Sequence, residues 1–329
     1  MVRSNAKRFR LFKKTGRILA MMLIACMAAA IAGGCAGPGS DPSATNKPAA
    51  TKVPAEPTPE PTPVPWQTDD QGRRLAGSDI TATVKRDGTP KKYFTISFDD
   101  GITQDKRIIE IYKKYNFKGG TFFIDTGLFG ANWTWVGQTL GDPTLTHIRW
   151  TEEEFKTGIY DGYDVESHTY DHPSLKNLGQ SKVVDEIMTD TENIYNLTGI
   201  YPTGMAWPGG DTEYTSATIE IVRDRTTAKF ARATTSTYKF KLPRYWLKWQ
   251  PTCGITDPNL FKYAQKFLDT ECTEDMLFYV WGHGYELDYS KKWEDLDKLI
   301  KMMTEAEDVI CVSNADFYWL FKDEVPAWK

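Results

Sequence analysis

Tyr93 to Gly101 reads YFTISFDDG. Phe94, Ile96 and Phe98 alternate with Thr95 and Ser97, the period of a β-strand with two unlike faces. The run stops at Asp99 and Asp100, two adjacent carboxylates, and then Gly101. Neighbouring like charges raise each other's pKa, and a nearby cation relieves that cost. Successive side chains on a strand point to opposite faces. The strand must therefore turn at its end if both carboxylates are to serve one site, and Gly101 permits the turn.

Working outward, strands and helices alternate from about residue 90. YFTISF, GTFFIDT, YDVESHT, GMAWPGG, FARATTS, DMLFYVWGHG and DVICVSN read as strands. Helical patterns fall between most of them, including TQDKRIIEIYKKYNF, QSKVVDEIMTDTENIYNLTG and WEDLDKLIKMMTEA. In DPNLFKYAQKFLDT, Asp257 is expected as N-cap and Pro258 at the first helical position. Thr151 with Glu154 predicts a capping box. About seven strands alternating with helices imply an α/β fold with a parallel sheet. A closed or partly closed (β/α) barrel suits the count better than an open sheet, and such barrels carry their chemistry at the C-terminal strand ends. One long insertion, Gly127 to Trp150, interrupts the alternation. Trp133, Trp135 and Trp150 in it are candidates to border a substrate groove.

The chain has 329 residues, and residues ahead of the barrel are of a different kind. Residues 1–34 combine seven Lys and Arg with the uncharged run ILAMMLIACMAAAIA, short for a membrane span and suited to a signal peptide. IAGGC resembles a bacterial lipobox, which implies lipid on Cys35, membrane attachment and an extracytoplasmic location. Residues 35–66 are rich in Pro, Thr and Ala and predict an extended linker; residues 67–89 form a lead-in, and residues 90–329 the catalytic domain. Loss of residues 1–34 takes the formal charge from −4 to −11. That excludes nucleic acid and other polyanions as the main partner and leaves a neutral polymer open. The chain is expected to be a monomer. Cys253 and Cys272 are the pair best placed for a disulfide, and Cys311 reads as an inert core thiol.

Only four histidines occur. His168 and His172 follow the third strand in SHTYDH, and His283 ends the LFYVWGH strand. His147, in the insertion, reads as structural. Two imidazoles spaced His-x-x-x-His, with an Asp from another strand, are a ligand set for a divalent transition metal with open positions. One carboxylate of the Asp pair then binds metal while the other stays ionised as a base.

SFDDG, HTYDH, AWPGG and WGH together resemble the motifs of the polysaccharide deacetylases, carbohydrate esterase family 4 (the NodB homology domain), over roughly residues 90–320. The resemblance implies a distorted (β/α) barrel and metal-dependent removal of acetyl groups from N-acetylated sugars. It implies Asp100, His168 and His172 as ligands of a divalent metal, with zinc the expectation. Asp99 becomes the general base, His283 the general acid, and the Gly209 N–H an oxyanion donor. Trp207 is read as stacking on a sugar face. The third motif has Ala206 where the family carries an Arg that pairs with the base. Arg244, in KLPRYW, is nominated to orient Asp99 instead, and Arg232 is read as a surface charge. The fourth-motif Asp has no counterpart; Glu286 or Asp288 is the candidate to orient His283. The substrate implied is a GlcNAc-containing wall polysaccharide, peptidoglycan first and chitin-type second. An O-acetyl esterase on xylan and a non-catalytic sugar-binding homologue are the competing readings. A glycosidase is disfavoured, since adjacent carboxylates poorly supply two groups flanking a bond.

Overall fold

The computed structural model describes residues 66–329; the signal peptide, Cys35 and nearly all of the linker lie outside the described residues. Eight strands form one sheet: β1 (Lys92–Asp99), β2 (Gly120–Ile124), β3 (Asp164–Ser167), β4 (Gly204–Ala206), β5 (Phe230–Arg232), β6 (Cys253–Gly254), β7 (Met276–Gly282) and β8 (Val309–Cys311). Their order is β5-β4-β3-β2-β1-β7-β6, with β8 paired to the start of β1. Every pairing is parallel. The two-residue β6 is the strand that the sequence pattern does not single out.

The sheet curls because both its edges meet one segment. Trp249 pairs with the β5 edge, its N–H donating to Ala231 O at 2.9 Å and its O accepting from Ala233 N at 2.8 Å. Four residues on, β6 pairs with β7. The strands thus form a distorted barrel, closed on one side only by residues 249–254.

β1 shows how the alternation is used. Phe94, Ile96 and Phe98 lie in the main apolar core with Ile108, Ile109 and Tyr112 of helix Asp105–Lys114 and Leu296, Leu299 and Ile300 of helix Trp293–Glu305. The other face carries a buried polar chain. Ser97 Oγ lies 2.9 Å from Tyr279 OH, which donates to Asn314 Oδ1 at 2.6 Å, while Asn314 Nδ2 donates to Thr95 Oγ1 at 3.0 Å. A satisfied polar chain of this kind fixes the strands it joins. Asp99 continues the face of Thr95 and Ser97 by period 2.

The expected helices form with shifted boundaries, TQDKRIIEIYKKYNF being helical over Asp105–Lys114. The helix after β6 is Leu260–Asp269, with Asn259 as its cap. Asp257 instead accepts the Asn259 N–H at 2.8 Å. This local turn satisfies the carboxylate before the helix begins. The Thr151–Glu154 capping box is present. Cys253 and Cys272 are free thiols, not a disulfide. Cys253 is sealed in the core, whereas Cys272 Sγ contacts Glu274 O. Trp150 is also a core residue rather than a groove residue.

Candidate metal and catalytic site

At the C-terminal end of β1 the backbone turns through two consecutive left-handed residues, Asp100 (φ +79°) and Gly101 (φ +58°). The second needs glycine twice over, because a Cβ there would sit 2.9 Å from Ile124 Cγ2. Asp100, a non-glycine residue with positive φ, is a strained position of the sort concentrated at functional sites. The turn brings both carboxylates to one site.

The loop after β3 supplies the imidazoles. His168 is fixed at both ends: its backbone N–H donates to Ile124 O at 2.8 Å, and its Nδ1 lies 3.0 Å from Ala206 O. Nδ1 must donate to that carbonyl, which leaves the Nε2 lone pair free to ligate. His172 has φ +52°. The loop is tied to helix Gln180–Thr198, where Asp190 accepts Ser167 Oγ at 2.6 Å and Thr126 N at 2.8 Å. Burial lowers the pKa of His168 and His172, although Asp100 acts against it in both. Neutral imidazole is the form that a metal requires.

The His168 and His172 Nε2 atoms lie 3.8 and 3.7 Å from Asp100 Oδ1. Ligands at about 2.0–2.2 Å from one ion, set tetrahedrally, stand roughly 3.5 Å apart. Asp125, at the end of β2, joins this set. One ligand atom from each of Asp100, Asp125, His168 and His172 lies within 4.8 Å of the others. Asp99 Oδ1 and Asp125 Oδ1 are buried without hydrogen-bond partners. Unpartnered buried carboxylate oxygens beside free imidazole lone pairs fit a divalent cation. Burial works to raise Asp100, but the His147 hydrogen bond, His283, Arg149 and His172 outweigh it and hold the carboxyl well below its usual range.

Asp99 is paired with Arg232, whose Nη2 contacts Asp99 Oδ2. Both are buried, and the guanidinium lies 4.5 Å from the Trp281 ring centroid. This corrects two expectations. Arg232 is no surface charge, and Arg244 is exposed, its guanidinium over its own neighbour Tyr245. The reason lies in the register, where Arg232 on β5 is the direct partner of Ala206 on β4. The arginine absent at position 206 is supplied one strand further along. Burial raises the pKa of Asp99, with Arg232 and His283 opposing.

His283 ends β7 and opens the short helix Gly284–Ser290. Its Nε2 lies 3.7 Å from Asp99 Oδ2, and its Nδ1 lies 3.5 Å from Glu286 Oε2. Burial pulls its pKa down, but Glu286, Asp100 and Asp99 prevail and hold it near 9. Of the two acids nominated beside it, Glu286 faces the ring. Asp288 accepts from Gln104 Nε2 and Trp293 Nε1 instead.

Trp207 corrects another expectation. It is buried, stacked on Tyr214 at 4.2 Å, with its Nε1 donating to Leu247 O at 3.0 Å, so it packs core rather than sugar. Gly209 is exposed on the loop after β4 at φ +67°. His147, read as structural, reaches the site: its Nε2 lies 2.8 Å from Asp100 Oδ2. Arg149 Nη2 lies 3.2 Å from Asp100 Oδ1 and 2.9 Å from Asp125 Oδ2. The signal for Arg232 was present in the FAR strand beside a motif lacking its arginine. Asp125 carried the same strand-end signal, following β2 in GTFFIDT; nothing local marks His147 or Arg149.

Residues 86–227 match the model of the polysaccharide deacetylase family. The match includes Asp99, Asp100, His168 and His172; Arg232, His283 and Glu286 lie beyond it. The chain is 25% identical over 165 residues to the peptidoglycan-N-acetylglucosamine deacetylase PgdA of Listeria monocytogenes, spanning 48% of this chain and 31% of that protein. It therefore covers about a third of the length of this relative. Among solved structures, peptidoglycan deacetylase PdaC from Bacillus subtilis aligns with a TM-score of 0.43 and 16% identity over 70% of this chain and 92% of that one. A CE4 family pseudoenzyme from Bacillus anthracis aligns with a TM-score of 0.43 and 19% identity over 69% and 65%.

Proposed function

We propose that the protein is a metal-dependent hydrolase that removes N-acetyl groups from a GlcNAc-containing cell-wall polysaccharide, with peptidoglycan as substrate. The observation that carries this reading is the meeting of an Arg-paired carboxylate, a separate Asp/His ligand set and a carboxylate-paired histidine at one end of the barrel. A glycosidase reading has no support in this geometry, because the two adjacent carboxylates are both committed to the same small cluster.

Asp100, His168 and His172 would hold the cation, with zinc suited to two imidazoles and a carboxylate and with Asp125 beside them. When bound, such an ion acidifies water and polarises an acyl oxygen. The protein's own groups divide the remaining work. Asp99, with Arg232 fixing its rotamer and charge, accepts the proton of the attacking water. His283, its Nε2 3.7 Å from Asp99 Oδ2 and its charge supported by Glu286, donates a proton to the departing nitrogen. An amine leaves poorly as an anion, so a proton donor with a raised pKa suits an amide better than an acetate ester. The Gly209 N–H is assigned to the developing oxyanion. Lipid on Cys35, with the Pro-rich linker as a stalk, would hold the domain outside the cytoplasm within reach of the wall.

Acetate release from purified peptidoglycan, chitin oligomers and acetyl-xylan, before and after chelation, tests the proposal. Release from peptidoglycan that chelation abolishes and zinc restores is expected. Release from acetyl-xylan alone would replace the amidase with an esterase. No release from any of the three, with metal bound, would leave a sugar-binding homologue.

A further inference from the structure

The insertion 127–150 comes back to the site as an extended segment. Trp150 N donates to Gly101 O at 3.1 Å and Thr103 N donates to Ile148 O at 2.8 Å, and Ile102 pairs with Arg149. Residues two apart on an extended segment share a face, so this register turns His147 and Arg149 together toward Asp100. Their donors divide its carboxylate. His147 Nε2 takes Oδ2 at 2.8 Å, and Arg149 Nη2 takes Oδ1 at 3.2 Å. Both side chains are about 1% exposed. Trp133, from the same insertion, backs them both. Its ring stacks on His147 at 5.4 Å and 12°, and the Arg149 guanidinium lies 3.8 Å from its centroid.

We propose that His147 and Arg149 are positioning residues that clamp Asp100, so that it presents Oδ1 alone to the metal. The proposal rests on the metal-centre reading above. Oδ1 is the oxygen facing the His168 and His172 Nε2 atoms, at 3.8 and 3.7 Å. Oδ2 is held back by His147. Without that hydrogen bond the carboxylate is free to rotate and offer both oxygens, which fills a position that water or substrate needs. The strained φ at Asp100 makes such a brace necessary, since the backbone alone does not favour the conformation. Arg149 also grips Asp125, so the clamp spaces the two carboxylates as well.

The test uses the purified full chain loaded with Co2+. Affinity is read by chelator competition, and coordination by the intensity of the visible bands, which falls as a four-coordinate ion gains ligands. His147→Leu keeps bulk and removes the donor; His147→Gln keeps an N–H donor. The Leu variant is expected to bind Co2+ about 10- to 100-fold more weakly, as for other lost ligand supports, with weaker bands. The Gln variant is expected to stay near wild type in both. Wild-type affinity and spectrum in His147→Leu overturn the clamp, and so does a Gln variant that falls as far as Leu. Should His147→Leu not fold, Arg149→Met decides: lost affinity supports the clamp and an unchanged affinity and spectrum overturn it. A wild-type chain that takes up no cobalt overturns the metal-centre reading itself, and the clamp with it.

Discussion

Replacing Arg232 by Met tests the arrangement of the base. The substitution keeps a long side chain between the Phe123 and Trp281 rings and removes the charge that faces Asp99. Both partners are buried, with Asp99 2% exposed. Removing one member of a buried pair leaves the other charge uncompensated and costs about 3–5 kcal/mol. At roughly 2–4 °C per kcal/mol for a domain of this size, the melting temperature should fall by about 6–20 °C. Asp99 has one other escape, which is to take up a proton. Its pKa then rises, so the acidic limb of the pH–rate profile moves to higher pH while bound metal is retained. The double variant Arg232→Met with Asp99→Asn should recover most of the lost stability, because no charge is left unpaired. Restoring arginine at the register partner, Ala206→Arg in the Arg232→Met background, should bring the acidic limb back. Differential scanning calorimetry and pH profiles of acetate release are the assays. A melting temperature within 2 °C of wild type and an unmoved acidic limb, or an equal shift from Arg244→Ala, would refute the reasoning.

Other outcomes follow from the same geometry. His172→Ala should lose the metal on elemental analysis, whereas Asp99→Asn should keep it and lose about 10²–10⁴-fold in turnover; the reverse pattern would exchange the two roles. Glu286→Gln removes the main support for the raised pKa of His283, which burial then lowers. His283 must be protonated to donate, so the basic limb should move to lower pH, and an unmoved limb means that Glu286 does not tune it. Asp190 is buried with its pKa raised to about 7 by burial, against hydrogen bonds from Ser167 and Thr126. The folded state therefore holds a proton that the unfolded state releases near pH 4. Its contribution to stability should decline between about pH 4 and 7, and Asp190→Asn should flatten that part of the stability profile. Cys35→Ala should release the protein from the membrane fraction; unchanged mass and fractionation would rule out the lipid anchor.

Much of this protein is written locally. The alternation in Tyr93–Phe98 names a strand with two unlike faces, and the break at Asp99-Asp100-Gly101 names its functional end. The spacing of His168 and His172 on one loop is a feature of consecutive residues, so it too can be read without coordinates. The same holds for His283 and Glu286, which sit three apart at a helix start. Pairings that cross the barrel are different in kind. Arg232 lies 133 positions from Asp99, and only strand register decides that it replaces an arginine missing from position 206. Arg244 carries the same charge and is the residue that the sequence nominates, yet it is exposed to water. Trp207 and Trp135 are the same residue type in adjacent reach of a site, but one is 1% exposed and the other 53%, because burial depends on what packs from other segments. His147 and Arg149 are the strongest case. An insertion carries no periodicity that states where it returns, and its pairing with residues 101–103 is a long-range contact that only the folded chain makes.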